Sequence, residues 1–135
     1  MIKYLQIDCI NMKAKSGHII IPHKSYKDLL PFYDEIYTTY LNEIKQDVDS
    51  EEARVYLEIA KMDLENNRKP VGFNKPGSVR FIFPIRDDGT IEFYFARTVK
   101  SQEVVNITMK INDLLNSKNI AHKVEYDKLN LSRKL

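Results

Sequence analysis

Apolar and polar residues alternate through residues 78–99 (SVRFIFPIRDDGTIEFYFARTV), a period of two that predicts two β-strands. A three-residue loop between them puts Gly89 at the left-handed position that such loops require. A two-residue loop would instead pair Ile85 with Glu92 and set the apolar faces out of step. The pattern therefore predicts one hairpin register, in which Ile85 pairs with Ile91, Phe83 with Phe93, and Phe81 with Phe95.

Three further segments have the pattern of strands. Residues 3–10 (KYLQIDCI) alternate and predict a first strand. Residues 18–22 (HIIIP) form a short apolar run, and its end at Pro22 suits a sheet edge because proline cannot donate to a ladder. Residues 120–126 (IAHKVEY) predict the last strand.

Apolar residues at spacings of three and four predict three helices. The first begins at Ser25, with Asp28 completing a variant of the capping box. The second begins after Asp49 or Ser50, and Ser101 caps the third. The apolar face predicted for the second helix consists of Val55, Tyr56, Ile59, Ala60 and Met62.

These elements follow the order β–α–β–β–α–β, with a first crossover enlarged to two helices and room for an extra short strand. The order predicts an α+β fold with a ferredoxin-like core, in which an antiparallel sheet carries helices on one face. The 135 residues suit one domain, which we place at residues 1–126, followed by a polar tail at 127–135. Folds of this kind host unrelated functions, so the fold alone predicts none.

Composition predicts the cellular location of the protein. No apolar run reaches membrane-spanning length, and the N-terminus lacks a signal-peptide pattern. Cys9 is the single cysteine, so an internal disulfide is impossible. These features predict a cytoplasmic protein with no membrane partner.

The net charge of +2 conceals an asymmetry. Residues 34–65 contain ten acidic and three basic residues, a net −7, and the remainder contains 18 basic and nine acidic residues, a net +9. A solvated helix face explains an acidic middle segment in the ordinary way. The functional alternative is a bipolar molecule that offers one sign of potential to a partner.

The second face of the hairpin is the first candidate site. The predicted register places Ile82 beside Tyr94, and Tyr4 of the first strand shares their face. An apolar spot of this kind would otherwise meet water, so we predict an interface with a partner protein or a second copy. An RNA platform that stacks bases on rings is the alternative, although no RNP1-like string is present.

Basic residues in the loops and on this face are the second candidate, for an anion or a nucleic acid. Arg97 breaks the alternation of its strand, which predicts a snorkelling stem, a buried ion pair or a grip on an anion. The predicted anion-binding residues are Arg68, Lys69, Lys75, Arg80, Arg97 and Lys123.

Catalytic motifs are missing from the sequence. There is no HExxH, paired CxxC, G-x-S-x-G or GxGxxG string, and Cys9 has the parity of a core residue. His18 and His23 are five residues apart, which puts them on opposite faces of a strand and makes them poor ligands for one metal. The sequence therefore predicts no metal and no cofactor, and it favours a protein that is not an enzyme.

Taken together, these features predict a non-catalytic binding or regulatory module that acts through protein–protein contacts, self-association included. The open sheet face and the acidic helices are its candidate surfaces. A nucleic-acid or anionic-ligand binder that uses the basic flanks is the alternative, and a small hydrolase or nuclease is the second alternative.

Overall fold

The computed structural model describes residues 12–22, 24–86 and 88–128. The predicted strand at residues 3–10 lies outside them. The strands in these ranges are β1 (Ala14–Pro22), β2 (Arg80–Ile82), β3 (Thr90–Ser101) and β4 (Lys123–Tyr126). The helices are a single 3-10 turn (Tyr26–Leu29), α1 (Leu30–Glu43), α2 (Glu51–Glu65) and α3 (Gln102–Ser117).

The four strands form one sheet in the order β2-β3-β1-β4, and every neighbouring pair is antiparallel. Helix α3 contacts β1 and β3, and α1 packs beside α3. The α+β class and the antiparallel sheet are therefore confirmed. Nothing in the order of the described elements conflicts with the ferredoxin-like prediction. None of the helices in these ranges is both long and apolar enough to cross a membrane.

Strand β1 corrects the prediction that residues 18–22 end at a sheet edge. It lies inside the sheet, with His18 opposite Tyr94 of β3 on one side and Glu125 of β4 on the other. The three consecutive isoleucines at 19–21 are all buried. An unbroken apolar run of this kind is typical of a strand covered on both faces. The run is therefore the better indicator of the strand's place in the sheet than the proline at its end.

The hairpin register agrees with the prediction where β2 and β3 pair. Gly89 has a φ of 81°, the left-handed conformation expected of the connecting loop. The observed pairs are Arg80 with Ala96, Phe81 with Phe95, and Ile82 with Tyr94.

The far end of the hairpin differs from the prediction. The ladder stops at Ile82, and Ile85 is 87% exposed instead of pairing with Ile91. Pro84 explains the early end because it has no N–H to donate. Phe83 still packs against Phe93, with ring centroids 5.4 Å apart.

The predicted helix starts are confirmed. The Asp28 carboxylate accepts a hydrogen bond from the backbone N–H of Ser25 at 2.8 Å, although the helix begins as a 3-10 turn. The Ser50 hydroxyl accepts from the N–H of Ala53 at 3.2 Å. The Ser101 hydroxyl accepts from the N–H of Glu103 at 3.0 Å. Each side-chain oxygen satisfies a helical N–H that has no partner within the helix.

The predicted apolar face of α2 is wrong in part. Its buried residues are Ala53, Ala60 and Leu64. Small side chains allow the close approach in which the Tyr37 hydroxyl of α1 donates to the Ala53 carbonyl oxygen at 2.7 Å. The opposite side of the helix therefore faces outward. It carries an exposed group that we call the α2 stripe: Val55, Ile59 and Met62.

Helix α3 approaches β1 closely at Gly17. A Cβ atom at this position would lie 2.9 Å from the Thr108 Cβ and closer still to its Oγ1. Both residues are fully or almost fully buried, so neither has open space into which to move. The glycine is therefore required for steric reasons, and it sets the distance between the helix layer and the sheet.

We expect Gly17→Ala to lower the free energy of unfolding by roughly 1–3 kcal/mol, the usual cost of overpacking. Thr108→Ala removes the two atoms of that side chain beyond Cβ, so the same glycine substitution should cost less in that background. Urea unfolding of the four proteins of this double-mutant cycle measures the difference. An equal cost in both backgrounds would show that the hydroxyl and methyl groups of Thr108 are not the cause.

Candidate functional site

The sheet face opposite α1 and α3 contains a buried polar cluster. Ser16 and His18 are two residues apart on β1, so they point to this same face. Glu92 of β3 lies opposite Ile20 in the ladder. The Glu92 Oε2 is 2.6 Å from the His18 Nδ1, and the His18 Nε2 is 2.9 Å from the Ser16 Oγ. The three side chains therefore form a continuous hydrogen-bonded chain.

The direction of these hydrogen bonds follows from Glu92. Burial by itself raises the pKa of this carboxyl, but hydrogen bonds from His18, Lys128 and Arg86 outweigh burial and lower it to about 2. Glu92 is thus ionised at neutral pH and only accepts hydrogen bonds. His18 therefore donates from Nδ1 to this carboxylate.

Two cations compensate the buried carboxylate. The Arg86 Nη1 is 2.5 Å from the Glu92 Oε1, and the Lys128 Nζ is 3.1 Å from the same oxygen. Arg86 also binds Asp88 through Nη2 at 2.6 Å. Asp88 in turn accepts from the Thr90 hydroxyl at 2.6 Å. The hydrogen bonds from Arg86, and then those from Thr90, lower the pKa of Asp88.

The order Ser–His–Glu is also that of a hydrolase triad, which concerns the alternative that the protein is a small hydrolase or nuclease. A serine nucleophile must meet its substrate, but Ser16 and His18 have no exposed surface. The ring of Tyr94 lies over His18 with centroids 4.7 Å apart. The arrangement therefore works as a support for the Glu92 charge, and the hydrolase alternative gains nothing from it.

The predicted interface residues lie on this same face. Ile82 and Tyr94 are Cα partners on adjacent strands, and both are half-buried. Burial raises the pKa of Tyr94, against a smaller opposing effect of Arg80. Tyr4 lies outside the described residues. The centre of the face, at Ser16 and Glu92, is buried.

The predicted anion-binding residues do not form a single site. Arg80 and Lys123 lie on β2 and β4, which are about 14 Å apart across the sheet at the usual strand spacing, and their positions are also offset by four residues along the strands. Arg68 pairs with Asp63 at 3.2 Å, and Lys123 pairs with Glu125 at 3.5 Å.

Two other basic residues of this set lie near the loop that precedes β2. The Lys75 Nζ donates to the Gln46 Oε1 at 2.7 Å, and Lys69 is exposed. Arg97 pairs with Glu103 at 3.2 Å and donates to the Gly77 carbonyl oxygen at 3.3 Å. Its side chain is about one-third exposed, so the acid contact, one of the three alternatives for Arg97, forms at the surface instead of in the core.

Sequence reasoning missed the cluster around Glu92. One local signal was available, because Glu92 is the only acidic residue within an otherwise apolar and aromatic run (IEFYF). His18 and Glu92 are 74 positions apart, and only the pairing of β1 with β3 brings them together. No group of metal-ligating side chains occurs among the residues that the structure describes.

Comparisons of the chain with protein-family models, curated proteins and solved structures give no match. A function for this chain is therefore inferred from the geometry of its described residues.

We expect Glu92→Gln to remove stability that depends on pH. A carboxyl whose pKa falls from 4.5 to about 2 on folding stabilises the protein fully above pH 4.5 and loses this effect as the pH falls towards 2. The loss at neutral pH should be roughly 3 kcal/mol, from 1.36 kcal/mol per pKa unit. Urea unfolding of parent and variant across this pH range measures both effects.

The matched control is Glu58→Gln, which changes an exposed carboxylate of α2 in the same way. As an exposed surface substitution, it should change the free energy of unfolding at neutral pH by no more than about 0.5 kcal/mol. If the two variants have the same pH profile, Glu92 does not carry the effect.

Proposed function

We propose that this protein is a non-catalytic binding module that holds a partner protein on α2. The supporting observation is the α2 stripe, in which Val55, Ile59 and Met62 are 49, 40 and 58% exposed. Positions spaced by four and three residues lie on one face of a helix. A helix that presents such a row outward offers the same type of surface that packs helices together inside a protein.

The size of this surface limits the strength of binding. Complete burial of one such side chain contributes about 1.5–3 kcal/mol, so completing the burial of three half-exposed ones contributes roughly 2–4 kcal/mol. That alone corresponds to a dissociation constant no lower than about 1 mM. Further contacts at the rim must supply the rest, so we expect a reversible regulatory contact.

The rim of the α2 stripe indicates the chemistry of the partner. Asp49, Glu51 and Glu58 border it, against the single cation Arg54. Within the described residues, none of these four side chains forms an ion pair, so their charges are available to a partner. A basic amphipathic segment, with apolar side chains in a row and lysine or arginine beside them, complements both parts of this surface.

Charge also favours a basic segment over the two other candidate partners, a second copy of the chain and a nucleic acid. Two copies of α2 would bring their acidic rims together, and like charges across an interface oppose association. A nucleic acid would meet the same repulsion from this face. The remaining candidate surface for a nucleic acid is the set of basic residues described above, which do not form a single site and of which Arg68 and Arg97 are engaged in ion pairs.

Ile82 and Tyr94 are the second candidate surface for a protein partner. They are adjacent on neighbouring strands and half-buried, with Arg80 on the same face. A partner bound here should be affected by Ile82→Asp and not by changes on α2.

The test replaces the α2 stripe with Val55→Gln, Ile59→Gln and Met62→Gln together. Glutamine keeps a good helix propensity, so the free energy of unfolding should change by little beyond 0.5 kcal/mol per site. The probe is a synthetic amphipathic helix of leucine and lysine, labelled for fluorescence anisotropy. We expect the triple variant to bind it at least tenfold more weakly than the parent does.

The matched control is Val99→Gln, because Val99 is 62% exposed on β3, away from α2. It should bind the probe as the parent does, and a peptide with glutamate in place of lysine should bind neither protein. Equal binding of the probe by the parent and the triple variant would exclude the α2 stripe as the docking surface. A native mass equal to a dimer that the triple variant dissociates would instead identify the partner as a second copy.

A further inference from the structure

A groove opens at the end of the sheet where β1, β4 and the start of β3 meet. It has a volume of about 640 Å³, within the range usual for small-molecule sites. Ile20, Pro22 and Ala121 supply apolar surface, and Arg86, Lys123 and Lys128 supply cations. This groove is separate from the α2 stripe and shares no residue with it.

A buried carboxylate beneath the groove holds two of the cations in position. Glu92, which is only 5% exposed, binds both Arg86 and Lys128 through one oxygen. His18, which is itself hydrogen-bonded to Ser16, donates to the other oxygen of the same carboxylate. The cations are therefore placed before any ligand arrives, so binding does not have to order them.

Arg86 has hydrogen-bonding capacity beyond its contacts with the protein. Its Nη1 donates to Glu92, and its Nη2 and Nε donate to Asp88. A guanidinium has five N–H donors, so these contacts with described residues leave two of them for an acceptor in the groove. Asp88 is half-exposed and would share Arg86 with such a ligand.

One wall of the groove is held by the segment between α3 and β4. The His122 ring, which lines the groove, is bonded at Nε2 to the Asn112 Oδ1 at 2.7 Å. Its Nδ1 is bonded to the Ile120 carbonyl oxygen at 2.8 Å. These bonds tie the wall to α3, so the neighbouring Ala121 has a defined place on the apolar side.

We propose that this groove binds a small amphipathic organic anion, whose carboxylate, sulfonate or phosphate lies against Arg86 and Lys123 and whose apolar body covers Ile20 and Ala121. Glu125 is the one acidic residue in the described lining, against three cations. Glu92 and Asp88 offset the cations from behind, so long-range attraction is small. Hydrogen bonds to the anion and burial of its apolar body supply the affinity.

The first experiment uses anilinonaphthalene sulfonate, an aromatic sulfonate that fluoresces when bound, with octanoate as the competitor. Lys123→Met removes an exposed cation whose ion-pair partner among the described residues is Glu125 and not Glu92, and we expect it to weaken both ligands roughly tenfold. Lys123→Arg keeps the charge and should bind as the parent does. Lys100→Met, an exposed lysine of β3 outside the groove, is the matched control and should have no effect.

The second variant fills the groove without changing charge. Ala121 is exposed, so Ala121→Phe should leave the fold intact and displace the apolar body of the ligand. We expect octanoate to shift the backbone amide signals of Ile20, Ala121 and Lys123 in the parent and to shift none of them in this variant.

The α2 stripe is the other exposed apolar surface to which such a dye can bind. If the groove is the site, the triple glutamine variant of α2 should bind octanoate and the dye as the parent does. If that variant loses the signal while Ala121→Phe keeps it, the groove is not the site and the proposal is overturned. That outcome leaves the peptide-binding proposal for α2 standing, because the two tests use different ligands and different residues.

Discussion

The antiparallel pairing of β1 with β3 is the constraint on which both faces of this protein depend. It places Gly17 under Thr108, which allows α3 to pack on one face of the sheet. The same ladder brings His18 next to Glu92 on the other face. A shift of the register by one residue would exchange these faces, placing the glycine on the polar side and the histidine under the helix. The aromatic core and the polar cluster therefore require the same register.

The charge of Glu92 is the costly element of this arrangement. A buried ion pair often stabilises a protein no more than apolar residues of the same shape would, whereas loss of one partner is strongly destabilising. Arg86, Lys128 and His18 together make the buried carboxylate tolerable. The cluster instead fixes the positions of two cations, Arg86 and Lys128, at the end of the sheet. This is why the groove is a better candidate for an organic anion than the scattered surface lysines.

The two proposed surfaces lie on different elements and suit different ligands. The α2 stripe is apolar with an acidic rim and fits a basic amphipathic segment of a protein. The groove beside β4 is apolar with positioned cations and fits a small amphipathic anion.

The sequence by itself determined the local structure of this protein. Turn chemistry at Gly89 and the alternation of phenylalanines specify the hairpin register, and serines 25, 50 and 101 mark the helix starts, because these features act between near neighbours. Only the tertiary structure decided that β1 lies inside the sheet, that Val55 and Ile59 face outward, and that Glu92 meets His18. Each of these depends on which segments pack together over long sequence separations. The apolar residues of α2 exceed one face, so periodicity alone cannot choose which of them α1 will cover.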